Sequence, residues 1–114
     1  SYPLVDATRL PATFSKYLVT HILTEEMKYK GLIMTDDIEM AGAAALEKIE
    51  DRAIAAILAG NDLVMLAWSP DLQKRVVEAV VTAVKTGQIS KVRIQSSVQK
   101  ILKFKKLYSP DSTR

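Results

Sequence analysis

Two adjacent carboxylates, Asp36 and Asp37, follow directly on the apolar run Leu32-Ile33-Met34-Thr35. A carboxylate at the end of a short buried strand can serve as a nucleophile, a base or a metal ligand. In parallel α/β folds, catalytic and ligand-binding groups gather at the carboxyl ends of strands. Successive side chains of an extended chain point to opposite sides. The two aspartates therefore cannot both point the same way: either one faces a site and the other caps the following turn, or both are turn and cap residues. With Glu39 they make three local carboxylates, too few for the six to eight or so oxygens of a calcium loop.

Other chemistries are excluded by residue type. The chain has no cysteine, so it has no thiol nucleophile, thiolate metal site or disulfide. Its one histidine, His21, lies mid-helix with Tyr17 and Glu25 as its i±4 neighbours. That is a surface position, and it does not qualify His21 as a catalytic acid. There is no GxGxxG, no phosphate loop and no nucleophile-elbow motif. No cofactor and no metal are expected.

The elements that carry these residues come from periodicity. The chain has 114 residues, 48% of them hydrophobic and 25% charged, which is globular and at most one domain. Residues 1–13 read as a loop with Pro3 and Pro11. Ser15 caps a helix whose stripe is Val19, Ile22, Leu23 and Met27, running to Gly31. Leu32–Thr35 is a buried strand that stops at Asp36. Residues 38–46 read as a loop with a short helix, and Ile49–Ala59 as a stronger helix that Gly60-Asn61-Asp62 ends. Leu63–Ala67 is a second buried strand. A helix capped by Ser69 or Asp71 runs to Lys85 with Gly87 as its stop. A last one starts at Ser90, with Val98, Ile101, Leu102 and Phe104 as its stripe. Residues 109–114 read as a frayed tail.

Strands alternating with helices imply parallel βα units and an α/β fold. Two strands of a buried type cannot make a stable sheet alone, so the chain reads as part of something larger. Residues 1–88 carry a net −3 and residues 89–114 a net +6. The basic end reads as a solvated helix face, and nucleic acid is not an expected partner. No apolar run approaches ~18 residues, so no membrane span is expected. No signal segment opens the chain, and the expected location is cytoplasmic.

The segment Gly31-Leu32-Ile33-Met34-Thr35-Asp36-Asp37-Ile38-Glu39-Met40 resembles the nucleophile segment of glycoside hydrolase family 3, of the bacterial β-N-acetylglucosaminidase type. Four other stretches agree in order and spacing. Tyr2–Asp6 resembles the stretch after the sixth barrel strand, and Leu10–Ser15 the lead into the next helix. Ala59–Met65 resembles the segment entering the last strand. Gly87-Gln88-Ile89, Arg93-Ile94, Ser97-Val98 and Ile101-Leu102 resemble the closing helices.

The resemblance implies that residues 1–114 are the C-terminal part of one TIM-like (β/α)8 barrel, about strands seven and eight with their helices. It also implies that Asp36 is the nucleophile of a retaining β-N-acetylhexosaminidase. The substrate would be terminal β-linked N-acetylglucosamine from peptidoglycan fragments. Met40 and Trp68 would line the sugar pocket, with Tyr2 approaching the same mouth; loop packing is the plainer role for each. The acid that must protonate the leaving group belongs to an early-barrel loop that is absent here, so the chain alone is expected to be inactive. Its start at Ser1 reads as a cut product. The alternative is a non-catalytic interaction module. Its strands would be completed by a partner, such as the remainder of the barrel, or by a second copy of the chain.

Overall fold

The computed structural model describes residues 12–39, 46, 48–66 and 69–108. Tyr2, Met40, Trp68 and the segment 109–114 lie outside the described residues. A single 3-10 turn, Ala12–Phe14, leads into a helix at Tyr17–Glu26. Then come strand β1 (Met34–Asp37), helix α1 (Ile49–Ala59), strand β2 (Leu63–Met65), helix α2 (Pro70–Lys85) and helix α3 (Lys91–Tyr108). The two strands pair in parallel. The unit β1–α1–β2 is thus the strand–crossover–strand arrangement that alternation predicts.

The first helix departs from expectation. It is wound as a π-helix and ends five residues before Gly31. Thr24 Oγ1 donates to the carbonyl of Val19, five residues back, which accompanies the wider winding. Lys28, at φ 55°, supplies the left-handed residue that closes the helix. Ser15 Oγ does accept from the Leu18 amide at 3.1 Å, as its cap role requires.

β1 is displaced two residues from the predicted Leu32–Thr35. The cause is the turn ahead of β2. Asp62 Oδ2 accepts from the Ile33 amide at 3.0 Å. The Ile33 carbonyl accepts from the amides of Asp62 and Leu63 at 2.7 and 3.1 Å. With Ile33 so engaged, the ladder starts at Met34. It extends through both aspartates because the Ile38 amide still reaches the Met65 carbonyl, at 3.0 Å. The strands are also less buried than expected. Met34 is 58% exposed, since two strands leave each other's outer edges open.

The helices follow their predicted bounds closely. α1 spans the expected residues, and Gly60 stops it at φ 121°. A Cβ on Gly60 would meet Thr20 Oγ1 at 2.5 Å, so only glycine fits. Thr20 Oγ1 itself donates to the Ala59 carbonyl at 2.6 Å, joining the first helix to the end of α1. Of the two caps left open for α2, Ser69 is used: its Oγ accepts from the Leu72 amide at 3.3 Å, with Pro70 in the first turn. Ser90 Oγ likewise accepts from the Arg93 amide at 3.1 Å.

The main core joins Phe14, Ile38, Ile49, Ala53, Ala56 and Val76, and so packs α1 and α2 against the end of β1. A second cluster of Ile54, Ala83 and Ile89 seats the turn before α3. The predicted stripe on α3 is largely open, with Val98, Leu102 and Phe104 each 45–59% exposed. A polar hub holds that helix instead. Asp62 Oδ1 accepts from Ser97 Oγ, and Asp62 Oδ2 pairs with Lys100 Nζ, both at 2.6 Å. Arg93 donates to the carbonyls of Ile57 and Asn61 at 2.8 and 2.7 Å. Burial pushes the Arg93 guanidinium pKa down, and the nearby Asp62 charge opposes that. Among the described residues no helix is long and apolar enough to cross a membrane.

Two predictions follow from these ties. Asp62→Ala removes a carboxylate that is 2% exposed and leaves an amide, a hydroxyl and an ammonium without their acceptor. It should cost about 2–4 kcal/mol in chemical denaturation. Glu50 on α1 accepts from Arg75 on α2 at 2.7 Å, and this hydrogen bond holds its carboxyl below the ordinary value of 4.5. A lowered carboxyl pKa adds stability above the unfolded value, and that stability is lost as pH falls through the folded value. Unfolding followed from pH 6 to 3 should therefore show a small acid-side loss that Glu50→Gln abolishes.

Candidate functional site

The register of the sheet explains the geometry around the aspartates. Met34 pairs with Leu63 and Asp37 with Met65, so β1 carries one residue more than β2 between the two pairs. This is a bulge, which bends a strand and re-aims its side chains. Thr35, 2% exposed, turns its hydroxyl into the ladder, and Thr35 Oγ1 accepts from the Met65 amide at 2.9 Å. One peptide unit further on, the Met65 carbonyl accepts from the Ile38 amide. Met65 thus bridges β1 on both sides of Asp36.

The two carboxylates separate as the extended chain requires. Asp37 Oδ1 accepts from the Glu39 amide at 3.0 Å, a turn of the Asx kind. Asp36 is exposed. Among the described residues its carboxylate makes no hydrogen bond or ion pair. The result is one aspartate spent on the turn and one presented at the carboxyl end of a parallel strand.

The turn is held from below by a residue that sequence reasoning passed over. Arg52 on α1 is 8% exposed. Its Nη1 donates to the carbonyls of Ile38 and Glu39 at 2.9 and 3.2 Å, and its Nε to that of Leu46 at 2.7 Å. An arginine among the apolar residues of a helix was the available signal, since arginine is almost never buried without partners. Glu39 also carries a buried carboxylate oxygen, Oε1, with no hydrogen-bond partner among the described residues.

His21 lies away from this turn. It is exposed, stacks on Tyr17 at 5.2 Å and contacts Glu25 and Glu26 at 3.2 Å, as a surface residue does. Among the described residues no three His, Cys, Asp or Glu side chains converge as a metal-ligand group. An open cavity of about 710 Å³ lies between the start of β1 and α3, lined by Tyr29, Met34, Leu63 and Phe104 among others. It involves neither aspartate.

A parallel β–α–β unit that presents a carboxylate at its strand's carboxyl end is a piece of an α/β fold of the barrel or open-sheet kind. Residues 1–104 match the glycosyl hydrolase family 3 N terminal domain, and the chain belongs to that family. The N-terminal domain of this family is a TIM-barrel domain. A beta-hexosaminidase of Bordetella parapertussis is 36% identical over 92 residues, which cover 81% of this chain and 26% of that protein. Among solved structures, a glycoside hydrolase family 3 beta-N-acetylglucosaminidase from Paenibacillus sp. FPU-7 superposes with a TM-score of 0.85. It is 34% identical over 90% of this chain and 20% of its own. CbsA from Thermotoga neapolitana gives a TM-score of 0.81 at 30% identity, over 91% of this chain and 23% of its own. The chain therefore spans about a quarter of the length of the curated relative it matches.

The local bonding separates two substitutions. Thr35→Val keeps the shape of the side chain but leaves the Met65 amide unpaired, and should cost about 1–2 kcal/mol by denaturation. Asp36→Asn removes no bond seen among the described residues and should shift stability by less than about 0.5 kcal/mol. A cost near 1 kcal/mol for Asp36→Ala, with Asp36→Asn near neutral, would instead mark Asp36 as a capping residue.

Proposed function

We propose that this chain is the C-terminal part of the catalytic barrel of a β-N-acetylhexosaminidase, about its seventh and eighth βα units, with Asp36 as the nucleophile. The observation that carries the reading is the exposed Asp36 carboxylate at the carboxyl end of a parallel strand, in a family whose matched relatives bear the name beta-hexosaminidase. The open sheet edges and the open stripe on α3 agree with it. Those surfaces are what the last two units of a barrel leave uncovered without the first six. The interaction-module reading gains no observation of its own, because a missing barrel explains the same apolar surface.

The mechanism in this reading is retaining hydrolysis. The ionised Asp36 carboxylate attacks the anomeric carbon as the bond to the leaving oxygen breaks. A proton reaches that oxygen from an acid elsewhere in the barrel. Water then attacks the anomeric carbon from the face the leaving group vacated, giving its proton to the acid's conjugate base and releasing the Asp36 carboxylate, which restores the original configuration. The isolated chain is inactive for want of the acid. The substrate is terminal β-linked N-acetylglucosamine of peptidoglycan fragments, and the enzyme works in the cytoplasm. In this reading Met40 and Trp68, each three residues past the end of a strand in the sequence, line the sugar pocket.

In the complete enzyme, Asp36→Gly should lower turnover of a chromogenic β-N-acetylglucosaminide by at least ~10³-fold. Added azide should restore release of the chromophore and yield a glycosyl azide of inverted configuration, because the azide replaces the carboxylate on its own face. NMR of the first sugar released by the unaltered enzyme should show the β anomer. Near-normal turnover in Asp36→Gly, or an α anomer as first product, refutes the assignment.

A further inference from the structure

Asp36 has no tie of its own among the described residues, yet a nucleophile must be held in a near-attack position. We propose that Arg52 is the positioning residue for Asp36. It would act by clamping both ends of the loop that follows the Asp36 strand. The inference rests on the reading of Asp36 as nucleophile.

The geometry behind it is specific. Ile38, fully buried, has its amide bonded to the Met65 carbonyl and its carbonyl bonded to Arg52 Nη1. Both peptide planes that flank Ile38 are therefore fixed, two residues from Asp36. The same Nη1 reaches the Glu39 carbonyl, and Nε reaches the Leu46 carbonyl across the loop. A guanidinium presents its donors as a rigid planar fork. One side chain can thus span the exit of β1 and the approach to α1 and fix their separation. Among the described residues Arg52 forms no ion pair. Among the described residues its buried charge is met by carbonyl oxygens. Asp37, through the Glu39 amide, restrains the same turn from its other side.

Loss of this restraint acts on the reaction through geometry. A displacement of about 1 Å in a reacting group can cost ~10²-fold in rate. Lysine carries a point charge on a flexible stem and cannot reproduce the fork. In the complete enzyme, Arg52→Lys should therefore lower kcat by about 10–100-fold while KM changes by less than about threefold. Arg52→Ala should recover part of its kcat when guanidinium is added at concentrations that do not unfold the protein. Both are read against Asp36→Gly in parallel. If Asp36→Gly is inactive, and Arg52→Lys folds with an unchanged kcat, the positioning role is overturned while the nucleophile assignment stands. If Asp36→Gly keeps its activity, the nucleophile reading fails first, and the positioning role falls with it. Should Arg52→Lys fail to fold, Asp37→Ala tests the same turn: a selective loss of kcat supports the proposal, and unchanged kinetics overturn it.

Discussion

The carboxylate of Asp62 ties two distant segments, the approach to β1 and helix α3, to the turn that carries it. It accepts from the Ile33 amide before β1, from Ser97 and from Lys100 on α3, and its own backbone amide returns a bond to the Ile33 carbonyl. Removing the buried carboxylate is costly, because the Ile33 amide and the Ser97 hydroxyl lose their acceptor. The strand register depends on it directly. The Ile33 amide is held by Asp62 while the Ile33 carbonyl takes the first ladder bond from Leu63, and β1 begins at Met34. The same sheet carries the bulge between Met34 and Asp37 at its other end, where Asp36 is presented.

This arrangement separates holding from acting. The amino-terminal end of the sheet carries the dense polar hub, with Asn61, Asp62, Arg93, Ser97 and Lys100 bonded among themselves or to backbone. The carboxyl-terminal end carries one aspartate committed to a turn and one left exposed. That division is the usual one in parallel α/β folds, where stability gathers at one end of the strands and chemistry at the other. Membership of glycosyl hydrolase family 3 gives the arrangement its context. The family's barrel supplies an interior for a strand-end carboxylate to face, and two strands alone do not.

Much of this was legible in the sequence, and for local reasons. The bounds of α1 and α2, the cap at Ser90 and the glycine stop at Gly60 follow from propensity and hydrogen-bond chemistry within a few residues, whereas the choice of Ser69 over Asp71 as the α2 cap came from the structure. The two parallel strands follow from short apolar runs between helices. That Asp36 and Asp37 point opposite ways follows from the alternation of an extended chain. The family follows from the wording of five ordered stretches.

Tertiary structure alone decided the rest. The start of β1 at Met34 depends on a carboxylate twenty-eight positions later, and Thr35 turns into the ladder because Met65 offers it an amide. Which aspartate bends the turn was decided by the Glu39 amide. Arg52 and Lys100 look like ordinary helix charges in sequence; their roles exist only because carbonyls or a carboxylate from distant segments converge on them. The physical reason is the same in each case. Helical and strand periodicity is set by neighbours along the chain. The partner of a buried polar group is set by whatever the fold brings within about 3 Å of it.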